Sequence, residues 1–154
     1  MLDIAANTHS NPSAKLSVLV VDDHMLMRRL VTQQMKTIGF QTIDSAIHGQ
    51  EALKKMEEAE AAGRGFDIIM LDWGMPIMNG FDLLKKCRSD SKYDGTAFVM
   101  LTGECEQKNV LEALQAGATS YIVKPVSQET LSEKIKNVMD WIEKRRKGHD
   151  TYLI

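Results

Sequence analysis

The sequence predicts an α/β domain in which a doubly wound sheet of five parallel strands carries helices on both faces. Five short apolar segments alternate with five longer segments whose apolar residues recur at helical spacing. The connections between them are short, and consecutive parallel strands require a crossover that a helix can supply. The alternation therefore predicts a parallel sheet that is covered on both sides.

The predicted strands are short apolar runs, as expected for strands that are buried on both faces. The first, LSVLVVDD, is rich in valine, whereas the second, FQTIDSA, is weaker. The third, FDIIMLD, ends on an acid, and the last two are TAFVMLT and TSYIVKP. In chain order they are predicted over residues 16–23, 40–46, 66–72, 96–102 and 119–125.

The predicted helices follow these strands, and glycines mark several of their ends. Gly39 follows the first helix, and Gly63 closes the second, which consists of strong helix formers. The last helix begins at Gln128 and carries its apolar residues on one face. The other four are predicted over residues 24–38, 49–63, 80–90 and 105–117.

The length of 154 residues is expected to give one domain with a sizeable core. Residues 1–15 are small and polar, and we expect them to form a mobile leader. The folded domain is predicted over residues 16–147, followed by a tail over 148–154. We therefore expect no DNA-binding or enzymatic output domain, since none fits in the residues that remain.

Composition argues against several classes of function. The net charge of −2 gives no electrostatic footprint for nucleic acid or a membrane surface. The one basic cluster, residues 144–147, closes the last helix, where cations complement the helix dipole, and we favour this explanation over a binding patch. The N-terminus lacks the pattern of a signal peptide, and no apolar run is long enough to span a bilayer.

The two cysteines, Cys87 and Cys105, have no paired spacing and are expected to be free thiols in a reducing compartment. We therefore expect a cytoplasmic protein, and we expect it to be a monomer. The four histidines, His9, His24, His48 and His149, show no metal-ligand spacing and are expected at the surface.

Chemically active side chains stand at the carboxyl ends of four predicted strands. The first strand ends in Asp22 and Asp23, the third in Asp72, the fourth in Thr102 and the fifth in Lys124. Ligands of parallel sheets bind at this edge, and neighbouring strand ends lie about 5 Å apart. Each residue alone has an ordinary explanation as a cap or turn residue, but their joint occurrence on one edge predicts a shared site.

The groups in this set suit phosphoryl transfer onto an aspartate. Clustered carboxylates repel one another, and Mg²⁺ relieves that repulsion while keeping several of its own waters. Aspartate is a known phosphoryl-accepting nucleophile. Mg²⁺, Lys124 and Thr102 would each address an oxygen of the transferred group.

These residues also carry a resemblance to a known family. The segments VLVVDDHMLMRRLV, DIIMLDWGMPIMNG, FVMLTGE and ALQAGATSYIVKPV, together with the last helix, resemble the receiver domains of bacterial response regulators. The resemblance covers roughly residues 16–142 and is nearest to the single-domain chemotaxis type, which is CheY-like. It implies a flavodoxin-like fold with strand order 2-1-3-4-5.

The resemblance also implies roles for individual residues. Asp72 would be the phosphoacceptor, Asp23 a direct Mg²⁺ ligand and Asp22 a ligand mainly through water. The backbone carbonyl of Gly74 would be the third protein ligand to the ion. Fast-hydrolysing chemotaxis relatives often carry a polar side chain at the position of Gly74, so this chain departs from their pattern there.

The remaining roles concern the phosphoryl group and the switch. Thr102 and Lys124 would contact the phosphoryl group, and Tyr121 would be an aromatic switch residue that turns inward when Thr102 moves. The Lys124–Pro125 bond is expected to be cis. Glu104, two residues beyond Thr102, is expected to modulate the lifetime of the aspartyl phosphate by acting on the hydrolytic water.

The resulting functional hypothesis is a stand-alone response regulator rather than an enzyme. It would take its phosphoryl group from a histidine kinase and switch its binding to a protein partner in trans, for example a flagellar motor component, a kinase or a phosphorelay protein. The output surface is expected at about residues 104–142.

One alternative is an Asp-nucleophile phosphatase, which needs a second acid where this chain has Gly74. Another is a scaffold that is never phosphorylated, against which the intact acid set argues.

Two further expectations concern the loop after the third strand. Trp73 adjoins Asp72 and is expected to be largely exposed, which would make its fluorescence a reporter of the site. Most of the ten methionines are expected in the core. Met75 and Met78 are expected either there or on a surface that contacts a partner.

Overall fold

The computed structural model describes residues 12–103 and 107–152, which include a sheet of five parallel strands. The strand order is β2-β1-β3-β4-β5, so the predicted fold class and strand order are confirmed. The strands are β1 Ser17–Val21, β2 Thr42–Ala46, β3 Ile68–Asp72, β4 Ala97–Thr102 and β5 Ser120–Val123.

A helix follows each strand, as the alternating pattern predicts. The helices are α1 Met25–Ile38, α2 Gly49–Ala61, α3 Gly80–Arg88, α4 Gln107–Gln115 and α5 Gln128–Tyr152. Helix α3 ends two residues earlier than predicted, and a short 3-10 helix, Ser91–Tyr93, follows it. The Asp90 side chain accepts a hydrogen bond from the backbone N–H of Lys92, which caps that 3-10 helix and separates it from α3.

The helices divide between the two faces of the sheet, which makes the domain doubly wound. Helices α1 and α5 pack on one face, and α2, α3 and α4 pack on the other. Alternate residues of each central strand therefore point into two different apolar layers. On β3, for example, Ile68 and Met70 face α1 and α5, whereas Ile69 and Leu71 face α2, α3 and α4.

The burial of the strands explains how clearly the sequence signals them. All residues of β3 and β4 are buried, which is why both are continuous apolar runs. Strand β2 lies at an edge of the sheet, and two of its five residues are exposed. Its polar, less regular sequence follows from that position.

The ends of the described chain extend past the predicted domain limits. A 3-10 helix, Pro12–Lys15, lies within the predicted leader and buries Ser13. Helix α5 continues to Tyr152, which lies within the predicted tail. The domain limits at residues 16 and 147 stay predictions.

The described residues bear on two expectations from composition, those for the cysteines and for membrane-spanning segments. Cys87 is a free thiol on the buried face of helix α3, whereas Cys105 lies outside the described residues. Among the helices that the structure describes, none combines the length and the apolar character needed to cross a bilayer.

Candidate functional site

The carboxyl edge of the sheet brings the predicted acids together because β1 and β3 are neighbours where the strand order reverses. Asp72 is the last residue of β3, and Asp22 and Asp23 directly follow β1. Val21 is paired in register with Leu71, so the residue that follows each of them, Asp22 or Asp72, stands at the same level. The predicted carboxylates therefore share one end of the domain.

Lys124 follows β5, two strands away from β3, and its side chain reaches back to the acids. Its Nζ donates a hydrogen bond to Asp72 Oδ1 at 2.8 Å and lies 3.5 Å from Asp22 Oδ2. The side chains of Asp22 and Asp72 are 0% and 6% exposed, and that of Lys124 is 19% exposed. One ammonium therefore serves two buried carboxylates.

A fourth potential ligand joins the three carboxylates. One ligand atom from each of Asp22, Asp23, His24 and Asp72 can be chosen so that all four lie within 4.8 Å of one another. Asp22 Oδ2 and Asp23 Oδ1 are buried, and neither accepts a hydrogen bond within the described part of the chain. Unsatisfied, clustered carboxylate oxygens are costly, and a hard divalent cation would relieve that cost. The donor set therefore fits Mg²⁺.

The pKa of Asp72 is raised above its ordinary value of 3.8. Burial is the largest cause, because it takes the carboxylate out of water. The hydrogen bond from Lys124 acts in the opposite direction, and the negative charge of Asp22 raises the pKa again. When ionised, Asp72 is thus a poorly hydrated carboxylate that one ammonium holds in place.

The loop after β3 is fixed by its own backbone. The Trp73 N–H donates to the carbonyl of Leu101 at 2.9 Å, and the Trp73 carbonyl accepts from the Gly80 N–H at 2.9 Å. Helix α3 begins so close to the site that a Cβ added at Gly80 would lie 2.2 Å from the carbonyl oxygen of Asp72. Glycine at position 80 therefore allows α3 to pack directly against the backbone of Asp72.

The side chains of this loop differ in part from expectation. The Trp73 indole stacks on Phe81 with ring centroids 4.9 Å apart and planes 9° apart, so it is half-buried rather than largely exposed. Met75 is buried in the layer beneath α2 and α3, which excludes it from a partner surface. Gly74 is exposed, and nothing lies within 4 Å of the position that a Cβ would take. Its role as a backbone ligand stays a prediction.

The two predicted switch residues lie on β4 and β5. Thr102 is buried at the end of β4, where its carbonyl accepts a hydrogen bond from the Lys124 N–H at 2.7 Å. Tyr121 is half-buried, and the ammonium of Lys134 lies 4.4 Å from the centroid of its ring. Glu104, the predicted modulator, lies outside the described residues.

His24 is the residue near the site that the sequence argument missed. Its side chain is 72% exposed, as expected for a surface residue, yet its Nδ1 lies 3.2 Å from Asp23 Oδ1 and 3.4 Å from Asp22 Oδ1. The spacing between histidines did not indicate this position, because the other groups in the cluster are the aspartates Asp22, Asp23 and Asp72. The informative signal was an imidazole directly after two acids at the end of a strand.

Comparison with known proteins agrees with this geometry. The sequence model of the response regulator receiver domain matches residues 18–136. The chain is 39% identical over 124 residues to the chemotaxis protein CheY1 of Helicobacter pylori, a match that covers 80% of this chain and 97% of that protein.

Two solved structures are similar as well. The chemotaxis protein CheY4 of Vibrio cholerae has 36% sequence identity and a TM-score of 0.71, covering 80% of this chain and 98% of that one. The CheX-CheY-BeF3-Mg complex from Borrelia burgdorferi contains a chain with 29% identity and a TM-score of 0.72, covering 80% of this chain and 89% of that one.

Proposed function

The chain belongs to the response regulator receiver domain family, and on that premise we propose that it is a phosphorylation-controlled switch in two-component signalling. It accepts a phosphoryl group on Asp72 from a histidine kinase and changes its binding to a protein partner in trans. Its similarity to CheY proteins makes a chemotaxis-like pathway the favoured setting. The whole assignment rests on one observation, the buried Asp72 that is hydrogen-bonded to Lys124 inside an acidic cluster.

The proposed chemistry begins with the Asp72 carboxylate as nucleophile. One of its oxygens attacks the phosphorus of a phosphohistidine, an oxygen–phosphorus bond forms, and the phosphorus–nitrogen bond breaks. The donor imidazole leaves with the electron pair of that bond and takes up a proton. The product is an acyl phosphate on Asp72, and water later hydrolyses it to return the free carboxylate and inorganic phosphate.

Lys124 has two successive roles in this proposal. Before the reaction its ammonium holds Asp72 Oδ1 at 2.8 Å and lowers the pKa of Asp72, in opposition to the effect of burial. During transfer the same ammonium offsets negative charge that develops on the phosphoryl oxygens. Thr102, buried at the end of the neighbouring strand β4, is proposed to donate its hydroxyl to another of these oxygens.

We propose that Mg²⁺ is held by Asp22, Asp23, Asp72 and the backbone carbonyl of Gly74. When bound, the ion supplies positive charge that draws the acids together and offsets charge on the transferred group. Support comes from the two buried carboxylate oxygens that accept no hydrogen bond in the described chain. The Borrelia burgdorferi complex, which contains Mg and BeF3, supports the same class of site here.

The switch is proposed to run through β4 and β5. A bound phosphoryl group would draw Thr102 toward it, and Tyr121 would then turn inward beneath the α4–β5–α5 surface. The cation–π contact from Lys134 on α5 already ties the Tyr121 ring to that surface. The partner that uses the surface is proposed to be a flagellar motor component, a kinase or a phosphorelay protein. The CheX complex of the Borrelia relative supports a protein partner.

The deciding experiment measures the intact mass after treatment with acetyl phosphate and Mg²⁺. Wild-type protein should gain one labile phosphoryl group, whereas Asp72→Asn should gain none because an amide is not a nucleophile. Asp82→Asn is the matched control, since Asp82 is an exposed aspartate of α3, and it should behave as wild type. A normal gain on Asp72→Asn would remove Asp72 as acceptor.

The same incubation separates the alternatives that the sequence left open. A phosphatase would turn over acetyl phosphate continuously without retaining a group, and a scaffold would neither gain mass nor consume the donor. Either result in the wild type would overturn the proposed switch.

A further inference from the structure

We propose that His24 supplies an imidazole ligand, through Nδ1, to the divalent cation bound by the acidic cluster, and that it thereby favours nitrogen-accepting metals such as Co²⁺ over Mg²⁺. The inference rests on the metal site proposed above and goes beyond it. It assigns a ligand outside the predicted set and a metal preference that the acids alone would not give.

The backbone of His24 directs the imidazole to the cluster. His24 is the N-cap of α1 with extended backbone angles, φ −92° and ψ 115°, and its side chain makes no capping hydrogen bond. Its N–H instead donates to Asp22 Oδ1 at 2.9 Å, which anchors the residue beside that carboxylate. Because the imidazole is not used in capping, its Nδ1 can serve the cluster.

The contacts of Nδ1 resemble those of a ligand more than those of an ordinary ion pair. Nδ1 lies 3.2 Å from Asp23 Oδ1, yet that oxygen accepts no hydrogen bond in the described chain. Asp22 Oδ2 is also buried without a hydrogen bond, although the ammonium of Lys124 stands 3.5 Å away. Close polar atoms that face one another without hydrogen bonds are the arrangement expected of side chains that share a metal ion.

Donor chemistry then predicts the selectivity. Mg²⁺ strongly prefers oxygen ligands and retains waters, so an imidazole adds little to its affinity. Imidazole suits cobalt, nickel, copper and zinc, whose affinities for mixed nitrogen and oxygen sites exceed those of the earlier divalent metals. A cluster of three carboxylates and one imidazole should therefore bind Co²⁺ more tightly than Mg²⁺, and the imidazole should account for part of the difference.

The test measures Mg²⁺ and Co²⁺ affinities separately by calorimetry on the full, tag-free chain, at a fixed pH above the ordinary pKa of histidine. His24→Ala should weaken Co²⁺ binding by about tenfold or more, the scale on which even outer-shell groups act, and leave Mg²⁺ affinity unchanged. The side chain is exposed and caps nothing, so the variant should keep its fold. Asp23→Ala is the positive control and should weaken both metals.

His48→Ala is the matched negative control. His48 is also the N-cap of a helix, but its Nδ1 accepts the N–H of Glu51 and it lies outside the acidic cluster. Its replacement should leave both affinities unchanged. In pulsed electron paramagnetic resonance of bound Mn²⁺, modulation from a coordinated nitrogen should persist in His48→Ala and disappear in His24→Ala.

The outcomes separate this inference from the proposed function. If His24→Ala weakens both metals equally, His24 acts as an outer hydrogen-bonding partner, and the ligand assignment is overturned. If neither affinity changes, or if the nitrogen modulation persists, it is overturned as well. The proposed function survives all three results, because it depends on Mg²⁺ binding by the wild type and not on His24. A wild type that bound no Mg²⁺ would instead contradict the metal site in the proposed function.

Discussion

Lys124→Met removes the ammonium that pairs with the buried carboxylates of Asp72 and Asp22 while keeping a side chain of similar length. In the wild type, Lys124 Nζ lies 2.8 Å from Asp72 Oδ1 and 3.5 Å from Asp22 Oδ2. Without this ammonium, the two carboxylates would face each other at the end of the sheet. Lys124 also lowers the pKa of Asp72, so its removal leaves burial and the charge of Asp22 unopposed. In metal-free buffer the variant should therefore be markedly less stable than the wild type.

The magnitude follows from the burial of the pair. Removing one partner of a buried ion pair costs about 3–5 kcal/mol, because the remaining charge is left buried without compensation. The Lys124 side chain is 19% exposed, and water therefore screens part of the interaction. We expect the low end of that range, about 3 kcal/mol. With a typical denaturant slope of about 2 kcal/mol/M, the urea midpoint should fall by about 1.5 M.

The assay is urea unfolding followed by circular dichroism in the presence of a chelator. Lys55→Met is the matched control, since Lys55 Nζ lies 3.2 Å from Asp44 Oδ1. The Lys55 side chain is 34% exposed and that of Asp44 is 54% exposed. An exposed pair of this kind contributes about 0–1 kcal/mol, so the control should shift the midpoint little. Added Mg²⁺ should restore part of the stability of Lys124→Met. It should not change the difference in urea midpoint between Lys55→Met and the wild type.

The pH dependence of the loss provides a second check. Because Lys124 lowers the pKa of Asp72, its stabilising contribution is present at pH values where the Asp72 carboxylate is ionised. The contribution disappears as the pH falls and the carboxylate takes up a proton. This account of the Lys124 pair would be refuted if Lys124→Met lost no more stability than Lys55→Met. It would also be refuted if the loss of stability in Lys124→Met grew as the pH falls.

Three further predictions concern the backbone and charge of the same site. Gly80→Ala should destabilise the fold by about 3 kcal/mol or more through overpacking, because its Cβ would meet the Asp72 carbonyl oxygen at 2.2 Å. In thermal unfolding, Gly74→Ala should stay within about 1 kcal/mol of wild type, because nothing lies within 4 Å of its Cβ position. Asp72→Asn should raise the melting temperature of the metal-free protein at neutral pH, because burial raises the pKa of Asp72 and makes its ionised form unfavourable in the fold, while Lys124 keeps Asp22 as its partner at 3.5 Å. A raised pKa gives stability that is present in acid and lost as pH rises, so this gain should vanish below pH 3.8; a gain independent of pH would contradict it.

The fold was predictable from sequence because parallel strands leave an unusually clear pattern. Strands β3 and β4 are buried on both faces, so nearly every residue must be apolar until the strand ends. The first polar side chain after such a run then marks the strand end, which is how Asp22 and Asp72 were identified as candidates. Strand β2 gave a weaker signal because it lies at the edge of the sheet.

The local environment of the site residues was less predictable. The sequence suggested an exposed Trp73, but the tertiary structure stacks its ring on Phe81 of α3. It also left Met75 open as a surface residue, whereas the loop turns that side chain into the core. These outcomes depend on the path of the loop, and that path depends on the close approach of Gly80 to the Asp72 carbonyl.

The sequence by itself determined the order of the elements and the chemical groups at the strand ends, because burial and periodicity are local properties of the chain. The tertiary structure decided which of those groups touch. Lys124 serves both Asp72 and Asp22, and His24 turns its Nδ1 toward two carboxylates. Contacts of this kind join segments far apart in the chain, or depend on a rotamer that neighbouring residues select. They are fixed only when the strands are side by side and the burial of charge has to be compensated.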